Sequence, residues 1–195
     1  MPLPLSVSLK FRVNEIFYSL QGEGAHAGRA AVFLRLAGCN EACVWCDTKY
    51  ADKINFLLTP AQILARVKKY PASLIVITGG EPCLQPLQPL LRLLKKNKFE
   101  VHLETNGSVD IDTSLIDCVT VSPKKSVNKN MLKKADVVKL VVDAKTDISA
   151  YKKYKNLYLQ PEGNKKENIA KCLRMIKQNP QIKLSLQLHK IIDIK

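Results

Sequence analysis

Short runs of β-branched and aliphatic residues alternate along this chain with stretches whose apolar positions recur at helical spacing. The strand-like runs are Phe11–Tyr18, Ala31–Leu36, Leu74–Thr78, Glu100–Glu104, Cys118–Val121, Val137–Val142, Leu157–Leu159 and Lys183–Leu188. Between them, Ile63, Leu64, Val67 and Tyr70 form an i, i+1, i+4, i+7 stripe, and Leu87, Leu90, Leu91 and Leu94 repeat it. Thr59-Pro60 reads as an N-cap followed by Pro at the first helical position. Asn164 and Glu167 read as a capping pair before a third helix carrying Ile169, Leu173 and Ile176. Alternation of this kind predicts an α/β fold with a mainly parallel sheet. About eight strands in 195 residues is too few residues for a closed (β/α)8 barrel of roughly 250. The expected architecture is therefore a shortened, open (β/α) barrel, one domain over residues 1–195, without internal repeat or linker.

The polar residues sharpen this picture. Thr78-Gly79-Gly80-Glu81, Glu104-Thr105-Asn106-Gly107, Ser122-Pro123-Lys124 and Gln160-Pro161-Glu162-Gly163 each close an expected strand, and Gln187 and His189 end the last. Any one of these is compatible with an ordinary turn, because Gly, Pro, Asn and Ser dominate turns for steric reasons. Five on the C-terminal edge of one parallel sheet mark the edge where such folds carry their active sites.

Composition adds boundaries. Hydrophobic residues make up 46%, ordinary for a globular protein, and no apolar run approaches a membrane span. The net charge is +14, but the lysines are spread in pairs such as Lys124-Lys125, Lys133-Lys134, Lys152-Lys153 and Lys165-Lys166. Aromatics are only 6%, which argues against a base-stacking platform and against direct nucleic-acid binding. A solvated basic surface, an anionic ligand or an acidic protein partner accounts for the charge. The opening MPLPLSVSLKFRV has neither the charged start nor the long apolar core of a secretory leader, so a cytoplasmic setting with reduced thiols is expected.

Cys39, Cys43 and Cys46 stand in a C-x3-C-x2-C pattern within eight residues. A [4Fe–4S] cube needs four ligands, so three thiolates leave one iron open to a small molecule. The alternatives are a zinc site or a disulfide. A structural zinc site wants four Cys or His ligands, and the nearest His, His26, is 13 residues upstream of Cys39. A disulfide needs an oxidising compartment. Cys83, Cys118 and Cys172 match no motif and read as buried small hydrophobes.

With Gly79-Gly80-Glu81-Pro82 behind a strand and downstream of the cysteines, the chain resembles the radical S-adenosylmethionine superfamily. The Gly pair would let backbone approach the cofactor's methionyl amine, having no Cβ to clash. Phe17-Tyr18-Ser19-Leu20-Gln21-Gly22-Glu23-Gly24, Arg35-Leu36-Ala37-Gly38-Cys39-Asn40, Cys46-Asp47-Thr48 and Ser185-Leu186-Gln187-Leu188-His189-Lys190 make it similar, nearly end to end, to the 7-carboxy-7-deazaguanine synthase family of the queuosine pathway. That resemblance implies a lyase with a [4Fe–4S] cluster on Cys39, Cys43 and Cys46, S-adenosylmethionine and Mg2+, converting 6-carboxy-5,6,7,8-tetrahydropterin to 7-carboxy-7-deazaguanine with loss of ammonia. It implies that Leu20, Gln21, Gly22, Arg35 and Thr78 meet the substrate, Arg35 bidentately at a carboxylate. Thr48 would give Mg2+ a hydroxyl oxygen. Trp45, Cys46, Asp47, Gly80, Ser122, Pro123, Lys124, Gln160, Pro161, Glu162 and Gly163 would line the S-adenosylmethionine pocket. Glu104 and His189 stand between a ligand-contacting and a structural role. Some relatives shape the substrate pocket with a Pro in a tail after the last strand, and no such Pro follows His189 here. The resemblance further implies a homodimer, and the basic surface suits an acidic electron donor such as flavodoxin. The nearest rival among radical enzymes is a glycyl-radical activase; from a different class comes a non-catalytic zinc or nucleic-acid-binding module.

Overall fold

In the computed structural model, which describes residues 9–195, the apolar runs form nine strands: β1 (Phe11–Leu20), β2 (Ala30–Leu36), β3 (Phe56–Leu58), β4 (Leu74–Gly79), β5 (Glu100–Thr105), β6 (Cys118–Val121), β7 (Val137–Val142), β8 (Leu157–Pro161) and β9 (Lys183–Leu184). The residues read as lacking a secretory leader lie largely outside this range, at 1–8. All nine strands join one sheet in the order β3-β1-β2-β4-β5-β6-β7-β8-β9. β1 is antiparallel to β2 and β3, and every pairing from β2 to β9 is parallel. β3 and β9 end the sheet without meeting, so the barrel is open, as expected.

The period of two along each strand sorts the side chains. One face carries Leu34, Ile75, Ile77, Val101, Leu103, Val119, Val138, Leu140 and Leu159 into the main core under the helices. These helices are α1 (Pro60–Val67), α2 (Gln88–Lys96), α3 (Lys129–Lys133), α4 (Lys166–Gln178) and α5 (Leu188–Ile191). The other, concave face begins with a small apolar group, Ala31, Phe33, Leu74 and Val76. It then turns polar: Arg35, Thr78, Glu104, Lys139 and Gln160 occupy the alternate positions of β2, β4, β5, β7 and β8. An apolar outer face and a polar inner face give the half-barrel a core on one side and room for chemistry on the other.

Thr59 caps α1 through a full capping box: its hydroxyl accepts from the Gln62 N–H at 3.3 Å, and the Gln62 side chain accepts from the Thr59 N–H at 2.9 Å. Leu90, Leu91 and Leu94 of α2 are fully buried. Tyr70 lies beyond the end of α1, where its ring stacks on Tyr18 at 5.8 Å.

Several sequence expectations are corrected. β1 runs two residues further, to Leu20, and the short edge strand β3 was not foreseen. The last strand stops at Leu184 instead of reaching Leu188. The Ser185 N–H still donates to the Leu159 carbonyl, but the Leu188 N–H goes to the Gly22 carbonyl, so the chain leaves β8 for the β1–β2 connection and coils into α5. His189 therefore sits on a helical turn, not a strand end. Asn164 and Glu167 are not a capping pair: Lys165 is the N-cap of α4, with no side-chain bond. Asn164 adopts φ 53° and bonds the backbone of Gln187 instead. The buried face of α4 is rotated towards Asn168 and Cys172, leaving Leu173 42% exposed. The Asn168 amide donates to the Glu162 carbonyl at 3.1 Å, which fixes that face inward.

Replacing Thr59 by Ala removes the hydroxyl half of the capping box. A stability loss of about 1 kcal/mol is expected, lowering the melting midpoint by about 2–4 °C. Thermal unfolding followed by circular dichroism measures this, and an unchanged midpoint would show that the cap contributes nothing.

Candidate active site

The C-terminal ends of the parallel strands open into a cleft of about 870 Å³. One wall is the loop after β2 that carries Cys39, Cys43 and Cys46, all free and partly exposed, and all lining the cleft. The loop is held by backbone bonds: Gly38 N–H to Ala51 O at 3.0 Å, Cys46 N–H to Cys43 O at 3.1 Å, and Glu81 N–H to Gly38 O at 2.8 Å. The Cys39 N–H donates to Asp52 at 3.1 Å. Asn106 donates to Asn40, and Asn40 to Ser108, tying the loop to the end of β5.

Glu81 is the anchor behind this loop. It is fully buried, and its carboxylate accepts from the Cys83 N–H (2.9 Å), the Thr105 hydroxyl (2.7 Å) and the Asn106 N–H (2.7 Å). The preceding glycines answer to the same packing. A Cβ on Gly79 would fall 2.1 Å from the Leu36 carbonyl oxygen, and one on Gly80 would fall 2.2 Å from the Gly38 carbonyl oxygen and 2.8 Å from the Cys39 Cβ. The glycines thus serve the close packing of β4 on the strand and loop that carry the cysteines, while both also line the cleft.

The donor set favours a cluster over a structural zinc site: the loop offers three free thiols and neither a fourth Cys nor a His. Three thiols spread along one loop would suit separate irons of a polynuclear cluster.

The floor of the cleft holds an interior charge cluster. The Lys139 ammonium, on a side chain only 6% exposed, pairs with Glu23 at 2.6 Å and Glu104 at 2.9 Å. Glu23 comes from the β1–β2 connection, and Gln187 also donates to it at 3.0 Å. Burial pushes the Glu23 carboxyl up, but Lys139 and Gln187 outweigh this and hold it at about 2. Glu104, buried and facing the Glu23 charge, stays raised despite Lys139, because one ammonium cannot fully serve two carboxylates. Lys139 is itself raised: burial acts against its charge, and the two carboxylates prevail. Lys124 is lowered to about 8 by burial and by the Lys139 charge; it donates to both oxygens of Ser122 and lies 5.1 Å over the Trp45 ring.

Every residue singled out from the sequence lines this cleft except Pro123, which is buried behind Ser122 and Lys124. Leu20, Gln21 and Gly22 enter from the end of β1, and Gln21 reaches Glu104 at 3.4 Å. Arg35 and Thr78 are register partners on β2 and β4. Arg35 is not a surface ion pair: within the cleft wall it donates to Glu15 at 2.9 Å and to the Thr48 hydroxyl at 3.3 Å. Thr48 in turn donates to Asp47. Trp45, Asp47 and Gly80 stand with the cysteine loop, and Gln160 through Gly163 with the end of β8, where Gly163 takes φ 61°. His189 packs on Gly22, where a Cβ would fall 2.5 Å from its Nδ1. Gln187 bridges Glu23 and Asp47, and Ile194 and Lys195 close the same side, the Lys195 ammonium 2.6 Å from Glu15. This wall is built by α5 and the residues after it. Sequence reasoning missed Glu23, Glu81 and Lys139 as site residues. A lone Lys inside Val137–Val142, otherwise all Val and Leu, was the available signal for the last.

The comparisons agree with this geometry. Residues 34–117 match the family model described as the Radical SAM superfamily. The chain is 42% identical over 186 residues to 7-carboxy-7-deazaguanine synthase of Bacteroides thetaiotaomicron, covering 94% of this chain and 98% of that one. It is 33% identical to the Escherichia coli K12 enzyme of the same name, over 95% and 100% of the two chains. The crystal structure of QueE from Escherichia coli superposes with a TM-score of 0.83 at 31% identity, over 92% of this chain and 95% of that one.

Two outcomes follow for the apo-protein. Glu23, held at about 2 against an ordinary 4.5, contributes stability that is fully present above pH 4.5 and lost as pH falls through 2. Lys139→Met leaves two buried carboxylates without a cation and should cost about 3–5 kcal/mol in urea unfolding at pH 7. The deficit should shrink below pH 4.5, where protonated carboxyls no longer need the ammonium; equal stability of variant and parent at pH 7 would refute the pairing.

Proposed function

The chain belongs to the 7-carboxy-7-deazaguanine synthase family of radical S-adenosylmethionine enzymes, and on that premise we propose how its own residues carry out that synthesis. It is a lyase of the queuosine pathway using a [4Fe–4S] cluster and S-adenosylmethionine. The reaction we assign is conversion of 6-carboxy-5,6,7,8-tetrahydropterin to 7-carboxy-7-deazaguanine with release of one ammonia. The observation that carries this reading is that the thiol loop, a buried carboxylate pair and Arg35 share one cleft.

Cys39, Cys43 and Cys46 would hold the cluster, and Gly80, Trp45, Asp47, Ser122, Lys124 and the stretch Gln160, Pro161, Glu162 and Gly163 would hold S-adenosylmethionine beside it. Pro123 supports that wall from behind. Bound and reduced, these groups supply one-electron cleavage of the sulfonium and hence hydrogen abstraction from carbon.

The remaining chemistry belongs to the protein. A pterin presents an aminopyrimidinone edge rich in N–H donors, and Glu23 and Glu104 present acceptor oxygens on the largely desolvated floor. Lys139 keeps Glu23 ionised and fixes both carboxylates in place. Gln21, Leu20 and Gly22 would border the same ring, with His189 packed against Gly22 as a positioning residue. Arg35 uses Nε and one terminal nitrogen on Glu15 and Thr48, and its remaining N–H groups suit the substrate carboxylate, with Thr78 beside it. The Thr48 hydroxyl and the Asp47 carboxylate are hard oxygen donors of the kind Mg2+ takes. A closed, largely polar floor excludes water from a carbon radical, which otherwise would be quenched.

We further read residues 1–195 as one radical-enzyme domain, acting as a homodimer in a reducing cytoplasm. All six cysteines are free, which suits such a compartment, and the β3 edge exposes Phe56 and Leu57, which suits self-association. The +14 net charge supports an acidic electron donor of the flavodoxin kind.

Anaerobic incubation with S-adenosylmethionine, dithionite, Mg2+ and the pterin should yield the deazaguanine, detected by mass spectrometry, and Cys46→Ala should abolish it. Turnover of a protein backbone instead of the pterin would overturn the assignment. Flavodoxin-supported turnover should fall steeply with salt while dithionite-supported turnover does not; identical salt profiles would sink the electrostatic docking. Arg35→Lys should raise KM for the pterin at least tenfold, since a point charge cannot replace the guanidinium fork.

A further inference from the structure

At the opposite, N-terminal edge of the half-barrel, two imidazoles and a thiol converge that play no part in the cleft. His102 of β5 and Cys118 of β6 are register partners on adjacent strands and share the concave face. They are only 4% and 6% exposed. His26 descends on them from the 3-10 turn Gly24–His26 of the β1–β2 connection, its ring 4.3 Å from that of His102. One ligand atom from each of the three lies within 4.8 Å of the others.

We propose that His26, His102 and Cys118 form a second metal site, for a borderline-soft divalent ion of the zinc class, separate from the iron–sulfur loop. Two imidazole nitrogens and a thiolate are the donor set such ions prefer, with water in the fourth position. The surroundings are arranged as an outer shell would be. Glu100 accepts from His102 Nε2 at 2.8 Å, which fixes the proton there and leaves the Nδ1 lone pair for a metal. Arg29 grips Glu100 with two bonds of 2.8 and 2.6 Å, so this carboxylate is itself oriented. His26 is only partly buried and gives the ion a way in from solvent. Its side-chain hydrogen bond, from Arg29 to Nδ1 at 3.3 Å, is long and easily given up. The half-buried His26 side chain can adjust as the three donors close to about 2.0–2.3 Å from an ion. Binding transfers the Cys118 proton to solvent.

The site would staple the β1–β2 connection to the sheet floor. That connection delivers Glu23, three residues before His26, to Lys139 in the cleft. The metal would thus brace the substrate end of the cleft from below without entering it.

The test uses cluster-loaded, anaerobic protein. Zn2+ titrated against a competing chromophoric chelator, with metal counted by plasma mass spectrometry, should give one zinc per chain beyond the cluster irons. Cys118→Ser and His26→Asn should each weaken binding at least tenfold, and zinc should raise the melting midpoint of the parent but not of Cys118→Ser. To exclude zinc taken by an incompletely loaded cysteine loop, Co2+ is added to the variant lacking Cys39, Cys43 and Cys46. A thiolate-to-cobalt absorption band there, lost on adding Cys118→Ser, supports the site. Retained zinc affinity in both His26→Asn and Cys118→Ser, or no thiolate band, would show that the three residues are only a packed imidazole–thiol cluster.

Discussion

One buried ammonium, that of Lys139, stands between two carboxylates inside the half-barrel, and much of the site depends on that shortage of positive charge. One ammonium satisfies Glu23 but cannot fully serve Glu104 as well. Glu23 takes the larger share and stays ionised, while Glu104 is held in a raised state. Desolvating three ionisable groups is costly, and replacing such a set with apolar residues often stabilises a protein. Its presence on the inner face therefore points to a ligand able to use the spare acceptor capacity. The same triad joins parts of the chain far apart in sequence: the β1–β2 connection, β5 and β7 meet through it. Gln187 extends the network to Asp47, so the thiol loop, the floor and α5 share one set of hydrogen bonds.

The cysteine wall is fixed by a different device. Glu81 carries no role at the cleft surface; it occupies the space behind, satisfying backbone and side chain at the end of β5. Gly79 and Gly80 let β4 press against the backbone of Leu36 and Gly38 so closely that no other residue fits. The thiol loop is thereby rigid at its base and open at its tip, where Trp45 and Lys124 stack. A radical enzyme needs such a base, because a small error in donor position diverts a reactive carbon species.

The legibility of the chain in its sequence varied with how local the determinants are. The alternation of strands and helices followed from period, and the Thr59 N-cap from its place just before Pro60, although its partner Gln62 went unread. The strand-end polar stretches marked the right edge because they need only be counted along the chain. The failures are tertiary. Ser185–His189 alternates like a strand, but Gly22 and Glu23 offer its backbone and Gln187 better partners than β8 does. In α4, Leu173 fits an apolar stripe, yet Asn168 is the residue turned inward, because a carbonyl at Glu162 needs its amide. Lys139 and Glu23 were invisible as a pair because they are 116 residues apart. Only their shared concave face brings them together.

The central claim is that the Glu23–Lys139–Glu104 floor reads the amino edge of the pterin. Equilibrium binding of 6-carboxytetrahydropterin to the cluster-loaded enzyme, compared with the analogue lacking the 2-amino group, tests it most directly. A floor of desolvated acceptors should bind the amino-free analogue at least a hundredfold more weakly, since it leaves a buried carboxylate unpaired. Equal affinity for the two compounds would contradict it.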